Sequence, residues 1–309
     1  MSHKLSVVIP VWCTEATLDR CVSSVVSQDY APIEVILVDD GSPDDCPRLC
    51  DQWAARDSRV SAIHQSNGGL SAARNAGIAA AGGDYITFVD SDDYLALGTY
   101  RQLMQRLEER PDIDLLEFPV CQFYGSRRQR MLCFPDEREY RDMQAYWYEA
   151  EAWSHAYACN KVFKRSLFSC VRFPVGICFE DIHTLPLLLA EASLVATANQ
   201  GLYYYCANPL GITATADGHR LSMLLAPHAD IIRKSRRRDA AFSRYYMHVL
   251  NIQMDVCELT GQEPILPYIP QPTKALRGLP KLKAMLLNRL GIKRLSVINS
   301  MIHKIWRNH

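Results

Sequence analysis

Short apolar runs alternate with amphipathic stretches through roughly the first hundred residues. Leu5–Ile9 is a compact apolar run interrupted by Pro10, and its β-branched content predicts a buried strand. Ala16–Gln28 then places Leu18, Cys21, Val22, Val25 and Val26 at helical spacing. Ile33–Val38 predicts a second buried strand, ending in Asp39-Asp40-Gly41-Ser42. Ser42-Pro43-Asp44-Asp45 reads as a helix start, with Ser as N-cap, Pro at the first position and acids in the first turn. That helix is expected to reach about Arg56. Val60–His64 predicts a third strand and Asn67-Gly68-Gly69 a tight turn. Leu70–Ala81 then reads as a third helix, closed by Gly82-Gly83. Tyr85–Val89 predicts a fourth strand, and Asp90, Asp92 and Asp93 crowd the point where it ends.

Strands and helices in this alternation imply a mostly parallel sheet with helices on both faces. Ligands of such sheets bind outside the carboxyl ends of the strands. Each end here carries polar or backbone-permissive residues: Glu15, then Asp39 and Asp40, then Asn67-Gly68-Gly69, then Asp90 and Asp92. Like charges brought together are unfavourable without a positive partner. A hard divalent cation suits oxygen ligands, and Mg²⁺ commonly binds through one or two carboxylates plus a substrate's phosphates. The plainer alternative is a polar turn capping the next helix, and Asp39 is read in that structural way. The first strand–helix turn lacks a Gly-x-Gly-x-x-Gly fingerprint, and the chain has no Gly-x-x-x-x-Gly-Lys-Ser/Thr loop, which argues against a dinucleotide enzyme and a P-loop enzyme.

Further along, Asp114–Val120 reads as another strand and Gly125–Arg130 as an exposed hairpin turn. Met143–Tyr157 holds Tyr146, Trp147, Tyr148, Trp153 and Tyr157, expected to be mostly core, with an acceptor groove as the other reading. Glu180-Asp181 precedes an amphipathic helix with Leu185, Leu188 and Leu189, so the two acids are either an N-terminal cap or catalytic. His183 is read as a surface or packing histidine. After Ala226 the chain is expected to be helical. Ile231–Leu250 carries the basic run Arg233–Arg238, Gln262–Pro280 reads as a Pro-rich linker, and Leu282–Leu290 and Leu295–Trp306 read as helices. In the last of these Leu295, Ile298, Ile302 and Ile305 form one stripe.

The 309 residues are 48% apolar and 22% charged, an ordinary globular composition, and equal numbers of basic and acidic residues give no global charge bias. The distribution is less even. After Glu263 there is no acid, but there are nine Lys and Arg. An acid-free, basic and amphipathic segment suits either an anionic membrane surface or packing on the catalytic domain. A nucleic-acid arm lacks supporting motifs, so no nucleic-acid partner is expected. Eleven cysteines, without a Cys-x-x-Cys pair, read as free thiols in a reducing compartment. The N-terminus lacks a signal-peptide core, and no run approaches the ~18 apolar residues of a membrane span. The expectation is a cytoplasmic protein, with peripheral contact at the inner face of the cell membrane as an open reading.

Four stretches together resemble the family 2 glycosyltransferases of GT-A fold. They are Ser6–Val11, Val38–Ser42, Asn67–Ser71 with Ala73–Gly77, and Val89–Asp93. A second patch covers Asn160–Phe163, Phe173–Gly176 and Glu180-Asp181. The resemblance implies inverting transfer of a sugar from a UDP-sugar to an acceptor hydroxyl, with Mn²⁺ or Mg²⁺ as cofactor. By position, Asp40 matches the acid that reads uracil, Pro10 and Val11 the loop lining the base pocket, and Glu15 a nucleotide contact. Asp90 matches the ribose-side acid, Asp92 the metal-holding residue and Asp181 the general base. Asn67 and Ser91 join the nucleotide-sugar contacts. Arg74 either reaches the diphosphate or forms a solvated or structural salt bridge. Where the family usually reads Tyr-Asn after the first strand, this chain has Trp12-Cys13, and its Cys206–Thr213 segment also departs from the family pattern.

The expected architecture is therefore an α/β GT-A domain over 1–225, with a nucleotide-binding half (1–110) and an acceptor half (111–225). A helical, basic region follows over 226–309. The resemblance implies a growing surface polysaccharide or a lipid-linked oligosaccharide as acceptor. A non-catalytic subunit that binds nucleotide-sugar or glycan on the same fold is the alternative outside enzymes. A nucleotidyltransferase is the alternative within them.

Overall fold

The computed structural model describes residues 3–307, apart from the side chains of residue 275 and of residues 302–307. Of the expected C-terminal stripe, Leu295 is buried and Ile298 half-buried, while the side chains of Ile302 and Ile305 lie outside the described residues. In chain order the elements are β1 (Leu5–Val11), α1 (Leu18–Val26), β2 (Ile33–Asp39), α2 (Cys46–Arg56), β3 (Val60–His64), α3 (Leu70–Ala80), β4 (Tyr85–Phe88) and β5 (Tyr94–Leu95). They continue with α4 (Thr99–Glu109), β6 (Leu115–Glu117), β7 (Val120–Tyr124), β8 (Arg130–Leu132), β9 (Glu139–Tyr140), α5 (Met143–Tyr148), β10 (Lys161–Lys164), α6 (Glu180–Glu191), β11 (Val195–Thr197) and β12 (Tyr203–Cys206). Three long helices close the chain: α7 (Gly218–Lys234), α8 (Ala240–Thr260) and α9 (Gly278–Arg307), the last broken at Gly291, where φ is 72° and ψ is 173°.

The chain forms two compact units. One runs to Met143 and resumes from Ala156 to Pro209; the other combines Gln144–His155 with the chain from Leu210 onward. The boundary thus falls at 209/210, not at 225, and an aromatic insert from the middle of the chain joins the helical unit. The cause is local packing. Trp147, Tyr148 and Trp153 all pack on Tyr245 of α8, with ring centroids 5.5–5.9 Å apart. Contacts among buried aromatic rings outweigh proximity along the chain.

In the first unit an eight-stranded sheet has the order β3-β2-β1-β4-β10-β6-β11-β9. β3, β2, β1 and β4 are parallel, β11 is parallel to β6, and β10 and β9 run against their neighbours. The expected α/β architecture of a mostly parallel sheet flanked by helices is present. A second sheet, β5-β12-β7-β8, is smaller. Asp114–Val120 is not one strand: β6 belongs to the large sheet and β7 to the small one, and Pro119 lies between them. β7 and β8 form the expected hairpin around Gly125.

Other boundaries moved for identifiable reasons. β1 continues through Pro10 to Val11. Val11 O accepts from Asp40 on the β2 side and Val8 O from Val89 on the β4 side. By alternation Pro10 faces the β4 side beyond the end of β4, where its missing N–H costs no ladder bond. α2 starts at Cys46 with Asp45 as its N-cap, not at Ser42. Ser42 is instead used across loops, accepting from Cys13 N at 2.6 Å and donating to Asp44 Oδ1 at 2.6 Å. α3 is closed by Ala81 in extended conformation, and Gly83 is needed for close approach: a Cβ there would lie 2.7 Å from Lys4 O.

In the second unit the basic run does not lie within one helix. α7 ends at Lys234, and Asp239 caps α8 by accepting from Phe242 N at 2.8 Å. The Pro-rich stretch before α9 is packed: Leu266 and Leu276 are buried, and Tyr246 donates to Pro267 O at 2.9 Å. Among the described residues the eleven cysteines form no disulfide. Among the described residues, no helix is long and apolar enough to cross a membrane.

Candidate active site

The end of β4 delivers four consecutive polar residues with different fates. Ser91 is buried, accepting at Oγ from Thr14 at 2.9 Å and at its carbonyl from Thr17 at 3.0 Å, which pins the loop after β1. Asp93 is fully buried. Its carboxylate accepts from Tyr203 OH and from Cys206 N, both at 2.7 Å, so this acid anchors β12. Burial raises its pKa well above the ordinary range, and the charges of Asp92 and Asp90 add to that. Asp92 is half-buried and accepts from Asn208 Nδ2 at 2.8 Å, while Arg20 donates to its carbonyl at 2.6 Å. Burial, then the charge of Asp90, raises the Asp92 pKa.

Arg74, on α3, joins the two acidic stretches. It is 2% exposed. One terminal nitrogen donates to Glu180 Oε1 at 2.5 Å and Asp181 Oδ1 at 2.9 Å, and the other to Asp90 Oδ1 at 3.0 Å. Its guanidinium also lies 5.2 Å from the Phe173 ring centroid and 5.8 Å from that of Phe88. Glu180 and Asp181 open α6 after Phe179, whose backbone is left-handed at φ 59°. Asp181 keeps part of its carboxylate accessible, at 19% exposure against 5% for Glu180. Burial raises the Asp181 pKa; Arg74 opposes that, Asp90 reinforces it, and Lys161 and the Ala158 N–H lower it. Burial also raises Glu180, reinforced by the Asp181 charge. A raised carboxyl pKa makes a stronger base.

Beneath this cluster, Lys161 is fully buried with Glu117 at 2.9 Å and also donates to Tyr157 O at 2.9 Å and Asn160 Oδ1 at 3.0 Å. Asn160 in turn donates to Phe118 O at 2.9 Å. The pair locks β10 to β6 below Asp181, satisfying each polar group that it buries.

The nucleotide side is built on the ends of β1, β2 and β3. Asp40 is 3% exposed, and its carboxylate accepts from Gln65 Nε2 at 2.6 Å, Gly68 N at 2.9 Å and Gly69 N at 2.7 Å. Gly41, at φ 67°, lets this turn abut the next loop; a Cβ there would lie 2.8 Å from Asn67 N. Asn67 itself is exposed. Asp39 accepts from Ser42 N at 3.0 Å and pairs with His64 Nδ1 at 2.9 Å, the expected structural role. Glu15 is exposed and accepts from Asp45 N at 2.9 Å. Pro10 and Val11 lie in β1 and are buried, not in an open loop. Asn208, Arg20 and Tyr203, which contact the β4 acids, carried no motif in the sequence.

Among the described residues, no group of three or more His, Cys, Asp or Glu forms a ready metal cage. The donor set nevertheless fits a divalent ion of the Mg²⁺ type, which keeps few protein ligands and takes substrate phosphates and water. Burial and then the neighbouring Asp90 charge raise the Asp92 pKa, and the like-charge proximity is one that a cation relieves. A separate cavity of about 690 Å³ opens beside the start of β4, lined by residues such as Asp84, Lys164 and Arg172; it contains none of these acids.

Comparison with known proteins places this geometry. The model of glycosyl transferase family 2 matches residues 6–172. A Bacillus subtilis glycosyltransferase, EpsJ, is 34% identical over 219 residues, 68% of this chain and 62% of that protein. The chain thus matches about three fifths of that relative's length. Glycosyltransferase GlyG of Streptococcus pneumoniae is 34% identical over 215 residues, 66% of this chain and 71% of that one. Among solved structures, residues 1–349 of S. aureus TarS, in complex with UDP-GlcNAc, superpose with a TM-score of 0.71 at 15% identity, covering 97% of this chain and 92% of that one. A mannosyltransferase from Pyrobaculum calidifontis, PcManGT, in complex with GDP-Man and Mn²⁺, gives 0.59 at 17% identity, covering 100% and 89%. These likenesses establish a GT-A fold.

Proposed function

The chain belongs to glycosyl transferase family 2, and from that premise we propose that it is an inverting enzyme transferring a sugar from a UDP-sugar to an acceptor hydroxyl. The observation carrying this reading is the Arg74 fork, which brings Asp181 from α6 and Asp90 from the end of β4 onto one guanidinium. Two carboxylates with separate duties, one facing the donor and one facing the acceptor, are what the chemistry requires.

In this reading Asp181 removes the proton of the acceptor hydroxyl. The acceptor oxygen forms a bond to the anomeric carbon, the bond from that carbon to the diphosphate breaks, and UDP leaves with the electron pair. A base on the face opposite the leaving group yields inversion, by the geometric logic of inverting glycosidases. Arg74 holds Asp181 in place and keeps it from drifting to the neutral acid. Asp92, with Asp90 beside it, would hold Mn²⁺ or Mg²⁺ on the diphosphate, where the ion supplies Lewis-acid stabilisation of the leaving charge. Asp40, Asn67, Glu15 and Ser91, with the backbone of Pro10 and Val11, surround the nucleotide. The acceptor belongs to a surface polysaccharide or a glycolipid.

The test is calorimetric titration of UDP, with and without Mn²⁺, into wild type and Asp92→Asn. Tight, metal-dependent binding that the variant loses supports the donor site. Binding indifferent to both metal and variant overturns it. Turnover of a nucleotide-sugar with release of UDP separates the enzyme from a merely binding subunit, and release of pyrophosphate would mark a nucleotidyltransferase instead.

Peripheral contact with an anionic membrane belongs to the same proposal. Leu279, Leu282 and Met285 are exposed along the first part of α9, in a segment with Lys281, Lys283 and Arg289 and no acid. Exposed apolar side chains among basic ones suit an anionic lipid interface.

A further inference from the structure

The small sheet carries a ladder of tyrosines that the transfer reaction above leaves unused. Tyr94 on β5 pairs with Tyr204 on β12, and Tyr124 on β7 lies opposite Cys206 on β12. The rings of Tyr94 and Tyr204 stack at 4.5 Å with 14° between planes. Tyr124 meets both edge-on, at 5.8 Å and 4.9 Å. The ladder is only partly covered, and Tyr124 is 38% exposed. Two backbone irregularities bracket it. Phe123, immediately before Tyr124, has a left-handed φ of 53°, and the register between β12 and β7 slips between Tyr204 and Cys206. A bulky residue in that region is strained and tends to persist where a side chain must be aimed.

The ladder is continuous with the candidate donor site. Arg20 lies over the Tyr94 ring at 4.8 Å while donating to Asp92 O at 2.6 Å. Asn208, just past β12, donates to the Asp92 carboxylate. The far side is basic. The hairpin turn carries Arg127 and Arg128, both exposed and without an ion pair among the described residues, and Arg130 follows. No Asp or Glu occurs from Phe118 through Pro135.

We propose that Tyr94, Tyr124 and Tyr204, with Arg20, Arg127 and Arg128, form the acceptor subsite, and that it takes an anionic saccharide, one bearing carboxylate or phosphate groups. The assignment rests on the glycosyltransferase reading. Sugar rings present apolar C–H faces that pack on aromatic rings, and guanidinium forks recognise carboxylate and phosphate oxygens. The arginines of the subsite also favour an anionic acceptor over a neutral one by charge complementarity.

Calorimetry with full-length protein tests the proposal with three probes: an oligogalacturonate, a glycerol-phosphate oligomer and a neutral malto-oligosaccharide. At least one charged probe is expected to bind wild type, and better than the neutral one; which of the two binds identifies carboxylate or phosphate as the recognised group. Tyr124→Ala should weaken it by about tenfold, the loss of one ring contact. Tyr124→Phe should stay near wild type, and Arg127→Glu/Arg128→Glu should weaken binding and reduce its salt dependence. UDP titrated with Mn²⁺ serves as the independent control and should bind all variants equally. Neither charged probe binding wild type, or binding that Tyr124→Ala and the arginine pair leave unmoved, overturns the subsite. Tyr124→Ala losing UDP as well would make the ladder structural and overturn it too. Failure of UDP binding by wild type would strike the donor reading instead, and the probe series would still report on the tyrosines.

Discussion

Arg74 illustrates how much one side chain carries. Its three carboxylate partners come from the turn after β4 and from α6, and Arg74 and Glu180 are buried while Asp90 and Asp181 stay partly exposed. Arg74→Met should destabilise the fold by about 3–5 kcal/mol, the cost of leaving buried charges unpaired; urea unfolding measures it. Arg74→Lys should recover only part, because a single ammonium cannot span acids that a planar fork reaches together. At Asp181, Asp181→Asn should lower kcat by about 10²–10⁴-fold while leaving UDP affinity unchanged. Because burial raises the Asp181 pKa, the acid limb of the wild-type pH–rate profile should lie above the ordinary aspartate range. A limb within that range would show that Arg74 holds the carboxylate ionised more strongly than burial opposes it.

Between elements, two contacts set where the strand ends stand. His64 at the end of β3 bridges Asp39 of β2 and Asp51 of α2. The bond to Asp39, then that to Asp51, raises its pKa. A raised histidine contributes stability that is full below its unfolded pKa of about 6.5 and is lost as pH climbs through the folded value. The melting-temperature gap between wild type and His64→Gln should therefore be wider near about pH 6 than near about pH 9. α3 packs on β1 through Gly77, where a Cβ would lie 2.2 Å from Val8 Cγ1. Gly77→Ala should cost about 1–3 kcal/mol despite its better helix propensity. Val8→Ala in the same chain should return much of it, a non-additivity that a double-mutant cycle reads directly.

At the scale of the whole molecule the division of labour follows composition. Acids gather at the strand ends of the first unit, and the chain beyond Glu263 is basic. Leu279→Glu with Leu282→Glu should abolish flotation with anionic vesicles and leave UDP binding intact; unchanged flotation would mean that the row has another use. The alternation of apolar runs and amphipathic stretches was enough to specify the first four strands, their parallel arrangement and the crowding of acids at their ends, because strand and helix periods are local properties of the chain. The resemblance of four short stretches was enough to indicate the family. Beyond that, local pattern could not discriminate. Asp92 and Asp93 are adjacent identical letters, and only their neighbours from β12 and the turn after it make one a buried anchor and leave the other half-buried. Whether Arg74 met solvent, diphosphate or protein acids depended on α6, more than a hundred residues away. The tyrosine ladder, drawn from residues 94, 124 and 204, exists only after β5, β12 and β7 have paired. Periodicity determined which elements form; long-range burial and charge pairing decided what each functional side chain faces.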